Sequence, residues 1–133
     1  MKQIIVMRND LNMRKGKMIV QGAHAAMMFL IPTRAKYTPP REKSKEKFNS
    51  LERQGRCIEE WVKTGMKKVC VQVNSEAELF ALDEKAKSAG IISYIVTDAG
   101  HTEFHGQPTN TCLALGPDED ENLDKLTGEL KLL

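Results

Sequence analysis

The chain has 133 residues, 41% of them hydrophobic and 29% charged, and that is the make-up of a single soluble domain able to bury roughly two-thirds of its unfolded surface without disulfide staples. The apolar stretch at 23–31 falls well short of the about 20 residues a bilayer span needs. No basic start followed by an apolar run and a small-residue cleavage site is present, so a cytoplasmic protein with no membrane attachment is expected. The net charge of +2 hides a split, since residues 1–68 hold 16 of the 20 Lys and Arg but 6 of the 18 Asp and Glu. Such a split produces a basic face for a polyanion such as RNA, or charges that intermix once the chain folds.

Ile4-Ile5-Val6-Met7 reads as a buried strand that ends in Arg8-Asn9-Asp10. A charged loop follows, and from Met18 the residues Ile19, Ala23, Ala26, Met27 and Leu30 recur at helical spacing until Pro32 ends the helix. Lys17, Gln21 and His24 share one face of that helix, and Ala23, Ala25 and Ala26 allow close packing. Residues 33–57 read as a solvated insertion, partly helical after Pro39-Pro40. A second helix carries Leu51, Ile58, Trp61 and Val62 to the core and stops at Gly65. Lys68–Val73 is a strand, and Ser75 with Glu78 has capping-box spacing for a third helix ending at Gly90. Ile91–Val96 and Thr111–Leu115 are the remaining strands, and Gly116-Pro117 with Asp118 to Glu121 opens a last helix. Strands alternating with helices predict an α/β domain.

Three cysteines (Cys57, Cys70 and Cys112) stand far apart with no CxxC pair, which disfavours a disulfide framework or a cysteine zinc site. Neither a GxGxxG nor a phosphate-binding loop ending in Gly-Lys-Ser/Thr is present. Chemistry-bearing residues gather instead in three clusters where strands end or helices begin: Arg8-Asn9-Asp10, Lys15-Gly16-Lys17 with Gln21 and His24, and Thr97 to Thr102 extended to Thr109. Together they offer cations for a phosphate, a carboxylate and an imidazole for proton transfer, and hydroxyls to orient water. His24, His101 and His105 with Asp98 form the alternative of a divalent-metal site, ranked below a metal-free one.

The order of these clusters resembles the type-2 peptidyl-tRNA hydrolase family. The matching residues are Arg8-Asn9-Asp10-Leu11, Met13-Arg14-Lys15-Gly16-Lys17, Gln21-Gly22-Ala23-His24-Ala25, Asp98-Ala99-Gly100-His101-Thr102, Pro108-Thr109, Gly116-Pro117 and the ending 126–133. The likeness spans residues 1–133 as one domain, save for the basic insertion at 32–57, which is longer than the family's usual connection. It departs at His101, where the family usually has Arg, and a histidine is charged only part of the time near neutrality, weakening a phosphate contact there.

The resemblance implies a four-stranded mixed sheet with helices on both faces, and hydrolysis of the ester joining a peptide to the 3′ end of tRNA. It implies no metal or organic cofactor, a tRNA acceptor arm as partner, and a homodimer. Lys17, His24, Asp98, Thr102 and Thr109 are the implied catalytic set. Asp98 and His24 would activate or orient water, Lys17 would stabilise the developing oxyanion, and the two threonines would position water or ester. Arg8, Asp10, Lys15, Gln21 and His101 are the implied substrate-binding set. The alternative is an RNA-binding module on the same scaffold that has lost the chemistry.

Overall fold

The computed structural model describes residues 1–31 and 44–133, with only the backbone described at 44–51. Four strands, β1 (Lys2–Arg8), β2 (Lys68–Val73), β3 (Ser93–Asp98) and β4 (Thr109–Asp118), form one sheet in the order β2-β1-β4-β3. β1 runs parallel to β2, and β4 runs antiparallel to both β1 and β3, so the sheet is mixed and open. The carboxyl ends of β1, β2 and β3 therefore share one edge, joined there by the start of β4.

Alternation along the two central strands sorts the core. Ile4, Val6, Leu113 and Leu115 face α3 (Glu76–Ser88) and α4 (Asp120–Thr127), where Leu79, Leu82, Ala86 and Leu123 meet them. Ile5, Met7, Cys112 and Ala114 face α1 (Lys15–Met27), which presents Ala25 and Ala26. Small residues on both sides of that second seam bring the helix close to the sheet. α2 (Ser44–Lys63) buries Cys57 and Trp61, whose ring meets Phe29 edge-on at 5.8 Å. The expected α/β architecture with helices on both faces is present.

Several boundaries and faces differ from the sequence expectation. α1 begins three residues earlier than the apolar periodicity and ends in a short 3-10 turn, Met28–Leu30. Its buried positions are Gln21 and Ala25, whereas Ile19 is 71% exposed and Val20, Met27 and Leu30 are also exposed. Val62 of α2 is exposed as well. β4 does not stop at Leu115: the sheet runs through Gly116-Pro117 to Asp118, accommodated where its register against β1 shifts between Lys2 and Ile4. β3 starts at Ser93, although Ile91 and Ile92 are buried just before it. The insertion expected at 33–57 and the core role of Leu51 lie partly outside the described residues. The Ser75–Glu78 box is present, Ser75 Oγ accepting from the Glu78 N–H at 3.1 Å and Glu78 Oε2 from the Asn74 N–H at 2.7 Å.

Among the described residues, the two charge-biased halves of the sequence pair with one another. Arg53 Nη2 donates to both carboxylate oxygens of the buried Asp118 at 2.6 and 2.8 Å, Lys2 meets Asp124 at 2.6 Å, and the N-terminal ammonium and Lys67 share Asp120. These pairs all sit at the end of the sheet opposite the carboxyl edge. No helix among the described residues is long and apolar enough to cross a membrane. Ala25→Leu, forced into the closely packed seam against Ala114, is expected to destabilise the protein by about 1–3 kcal/mol, measured as a lower urea midpoint with an unchanged slope.

Candidate active site

The first turn of α1 and the last residue of β3 meet at the carboxyl edge of the sheet, the place where α/β sheets bind ligands. Lys17 Nζ donates to Asp98 Oδ1 at 2.7 Å and to Thr102 Oγ1 at 3.0 Å. Both charged side chains are largely shielded, Lys17 12% and Asp98 14% exposed. Gln21, one turn further along α1 and 1% exposed, donates from Nε2 to Asp98 Oδ1 at 3.0 Å. Asp98 Oδ2 accepts from the Gly100 N–H at 2.8 Å. The Phe104 ring lies 5.5 Å from Lys17 Nζ and packs into the α1-side core, anchoring the loop over the ion pair.

Local backbone chemistry explains why the loop closes this way. Gly100 has φ +83°, and a Cβ there would stand 2.4 Å from the Gln107 carbonyl oxygen. Only glycine permits both that approach and the turn that aims its N–H at Asp98. Its own carbonyl accepts from the Gly106 N–H at 2.9 Å, which cinches residues 100–106.

The electrostatics are set by these contacts. No acid stands in the first turn of α1, and Arg14, Lys15 and Lys17 all oppose the positive end of the helix dipole. Asp98 offsets Lys17, and Glu103 offsets Arg14 at 2.9 Å. Lys15 is exposed and lies about 200° round the helix from Lys17. Burial pushes the Asp98 carboxyl up, but the Lys17 ammonium, the Gly100 N–H and the Gln21 amide together outweigh it and hold the group below its ordinary 3.8. An ion so stabilised is a weak base near neutrality, so its geometry suits orienting a water more than taking a proton.

The other residues singled out in the sequence fall around this cluster. Thr109 pairs across the strands with Asp98, and its hydroxyl donates to the Gln107 carbonyl at 2.9 Å. Arg8 donates to both carboxylate oxygens of Asp10, at 3.1 and 2.7 Å, and to the Asn110 carbonyl at 3.0 Å, with Glu76 at 3.5 Å. Its charge is thereby matched, and the pairing draws Asp10 below its ordinary value. His24 sits in the last turn of α1, exposed and outside the hydrogen-bonded cluster, and His101 is exposed on the loop. No group of three or more His, Cys, Asp and Glu side chains able to hold a metal ion forms among the described residues. Sequence reasoning missed Phe104 and Thr111. The latter is a fully buried polar side chain leading the apolar run Cys112–Leu115, which is the signal that finds it, because a buried hydroxyl needs a partner.

An ammonium, a carboxylate and a hydroxyl converging at the carboxyl edge of an α/β sheet are groups suited to chemistry on an anionic or carbonyl-bearing substrate. Comparison with known proteins narrows the class. The family described as Peptidyl-tRNA hydrolase PTH2 matches residues 1–133. The curated peptidyl-tRNA hydrolase of Methanocaldococcus jannaschii is 42% identical over 133 residues, all of both chains, and that of Methanothermobacter thermautotrophicus is 43% identical over the same span, again all of both. That of Haloquadratum walsbyi is 40% identical over 132 residues, 99% of each chain. The chain belongs to the type-2 peptidyl-tRNA hydrolase family.

Because its folded value is depressed, ionised Asp98 adds stability that is complete above pH of about 4 and is lost as pH falls through the lower folded value. Urea unfolding of the protein and of Asp98→Asn is expected to differ by a constant margin from pH 7 down to about 5. That margin shrinks below about 4.

Proposed function

We propose that the protein hydrolyses the ester between a peptide and the 3′-terminal ribose of tRNA, with Lys17, Asp98 and Thr102 at the centre of the reaction. The observation that carries this reading is the Lys17–Asp98–Thr102 convergence in a chain that aligns end to end with peptidyl-tRNA hydrolases. Hydrolysis of an ester needs a placed water, a countercharge for the oxyanion and an anchored substrate end. Asp98 accepts three hydrogen bonds within the protein, and a carboxylate has lone pairs for about four. The remaining one, on Oδ2, accepts an O–H of the attacking water. Lys17 faces the charge that develops on the ester carbonyl oxygen, and the Thr102 hydroxyl, which accepts from Lys17, has its own proton to give to substrate or water. Thr109, beside Asp98 across the strands, borders the same water. His24 lines the approach along α1, where its imidazole takes the proton released by the attacking water and returns it to the departing ribose oxygen.

Lys15 and the free N–H groups at the start of α1 hold a phosphate of the acceptor arm, with His101 nearby on the loop. The Arg8–Asp10 pair frames that side of the site, and the proposed setting is the cytoplasm, where translation supplies the substrate. The proposed assembly is a homodimer. Ile19, Val20, Met27, Leu30 and Ile31 form an exposed apolar stripe along α1 and its 3-10 extension, the kind of surface a symmetric contact covers.

On a defined peptidyl-tRNA, purified protein is expected to release peptide, and Lys17→Met and Asp98→Asn are each expected to lower kcat by at least about a hundredfold while far-ultraviolet circular dichroism stays unchanged. Turnover in Asp98→Asn close to that of the unaltered protein refutes the assignment. Sedimentation equilibrium is expected to give a dimer for the protein and a monomer for Ile19→Glu/Met27→Glu.

A further inference from the structure

β4 carries one residue too many opposite β3. Val96 pairs with Cys112 and Thr97 with Asn110, so Thr111 has no partner across the strands and occupies a bulge. A bulge re-aims the side chain it carries. Here the Thr111 hydroxyl, fully buried, turns to α1 and donates to Gln21 Oε1, with the Val96 carbonyl 3.3 Å away. Gln21 in turn donates from Nε2 to Asp98 Oδ1 at 3.0 Å.

The direction of this chain follows from its end. An ionised carboxylate only accepts, so the nitrogen of the Gln21 amide must face Asp98 and its oxygen must face β4. Thr111 then supplies the one hydroxyl proton that satisfies that oxygen in a site closed to water. A flipped amide would place oxygen against Asp98 Oδ1, where lone pair meets lone pair, and would weaken the seat of the carboxylate that holds Lys17. Gln21 is too buried to reach substrate, which gives it a different task from the binding role implied by the family resemblance.

We propose that Thr111 is a positioning residue for the hydrolysis, acting through the Gln21 amide to hold the Asp98 carboxylate, and with it Lys17, in the reactive arrangement. The inference rests on the proposed ester hydrolysis for its kinetic consequence and on geometry alone for its structural one. Thr111→Val keeps the volume and the branched shape while removing the donor. The Gln21 amide then has nothing to hold its oxygen, and Asp98 loses a fixed donor.

Four variants test this: Thr111→Val, Thr111→Ser, Gln21→Met and the double Gln21→Met/Thr111→Val. On peptidyl-tRNA, Thr111→Val is expected to lower kcat about tenfold to a hundredfold, the worth of one hydrogen bond to a charged group, with KM within about twofold. Thr111→Ser restores most of the rate. In the Gln21→Met background, Thr111→Val adds nothing further, a non-additivity that a packing defect would not produce. Independently of turnover, carbon-13 NMR titration of the Asp98 carboxyl is expected to move to higher pH in Thr111→Val and to return in Thr111→Ser. The proposal is overturned by equal losses in the serine and valine variants, by full additivity in the double variant, or by an unmoved Asp98 titration. If the unaltered protein shows no turnover, the ester-hydrolase reading fails, and the titration still decides the role of Thr111.

Discussion

The ion pair between Lys17 and Asp98 is the contact on which the rest of the site depends. It ties the first turn of a helix to the last residue of a strand 81 positions away in sequence. Taking two charges out of water is unfavourable unless each is further hydrogen-bonded. Here the lysine also donates to Thr102, and the carboxylate also accepts from Gln21 and the Gly100 N–H. Such an arrangement adds little net stability, because desolvation offsets most of the attraction, but loss of either partner leaves the other stranded. Its value lies in orientation. A lysine at the positive end of a helix is electrostatically misplaced, and only a carboxylate brought from elsewhere in the fold makes that position tolerable.

That carboxylate arrives at the right height because the α1 seam is thin. Ala25 and Ala26 on the helix and Cys112 and Ala114 on the sheet let the backbones approach, so Gln21 reaches inward to the strands instead of standing clear of them. The Cys112 thiol donates to the Gln21 carbonyl at 3.5 Å, and burial pushes that thiol up to about 12, so it packs as an inert group. The same closeness leaves the larger apolar side chains of α1 on the outer face. The helix thus turns small or polar residues inward, toward a tight sheet and the Asp98 cluster, and leaves bulky apolar ones exposed on its outer face.

Charge is distributed to the same end. The pairs formed by Lys2, Arg53, Lys67 and the N-terminal ammonium neutralise the acidic start of α4 at the far end of the sheet. At the carboxyl edge Arg8 and Arg14 are matched by Asp10, Glu76 and Glu103, while Lys15 stands exposed. Among the described residues, Lys15, the start of α1 and the partly neutralised Lys17 contribute positive potential at this edge.

Much of this was legible in the chain. The buried strand at Ile4–Met7, the strand at Lys68–Val73, the Ser75 cap, the stop at Gly90 and the spaced motifs around Lys17, Gln21 and Asp98 follow from local rules: β-branched runs, side-chain hydrogen bonds to neighbouring amides, and glycine's freedom at positive φ. Those rules act within a few residues, so a linear text records them. The outward turn of Ile19 and Met27, the run of β4 through Gly116-Pro117 and the bulge that points Thr111 at Gln21 were decided by contacts between distant segments. A helical period says that one stripe is apolar but not that the sheet will prefer the alanines, since closeness of approach is a property of two surfaces. Register is likewise a relation between strands, and one surplus residue in β4, invisible until β3 lies beside it, sets where the buried hydroxyl goes.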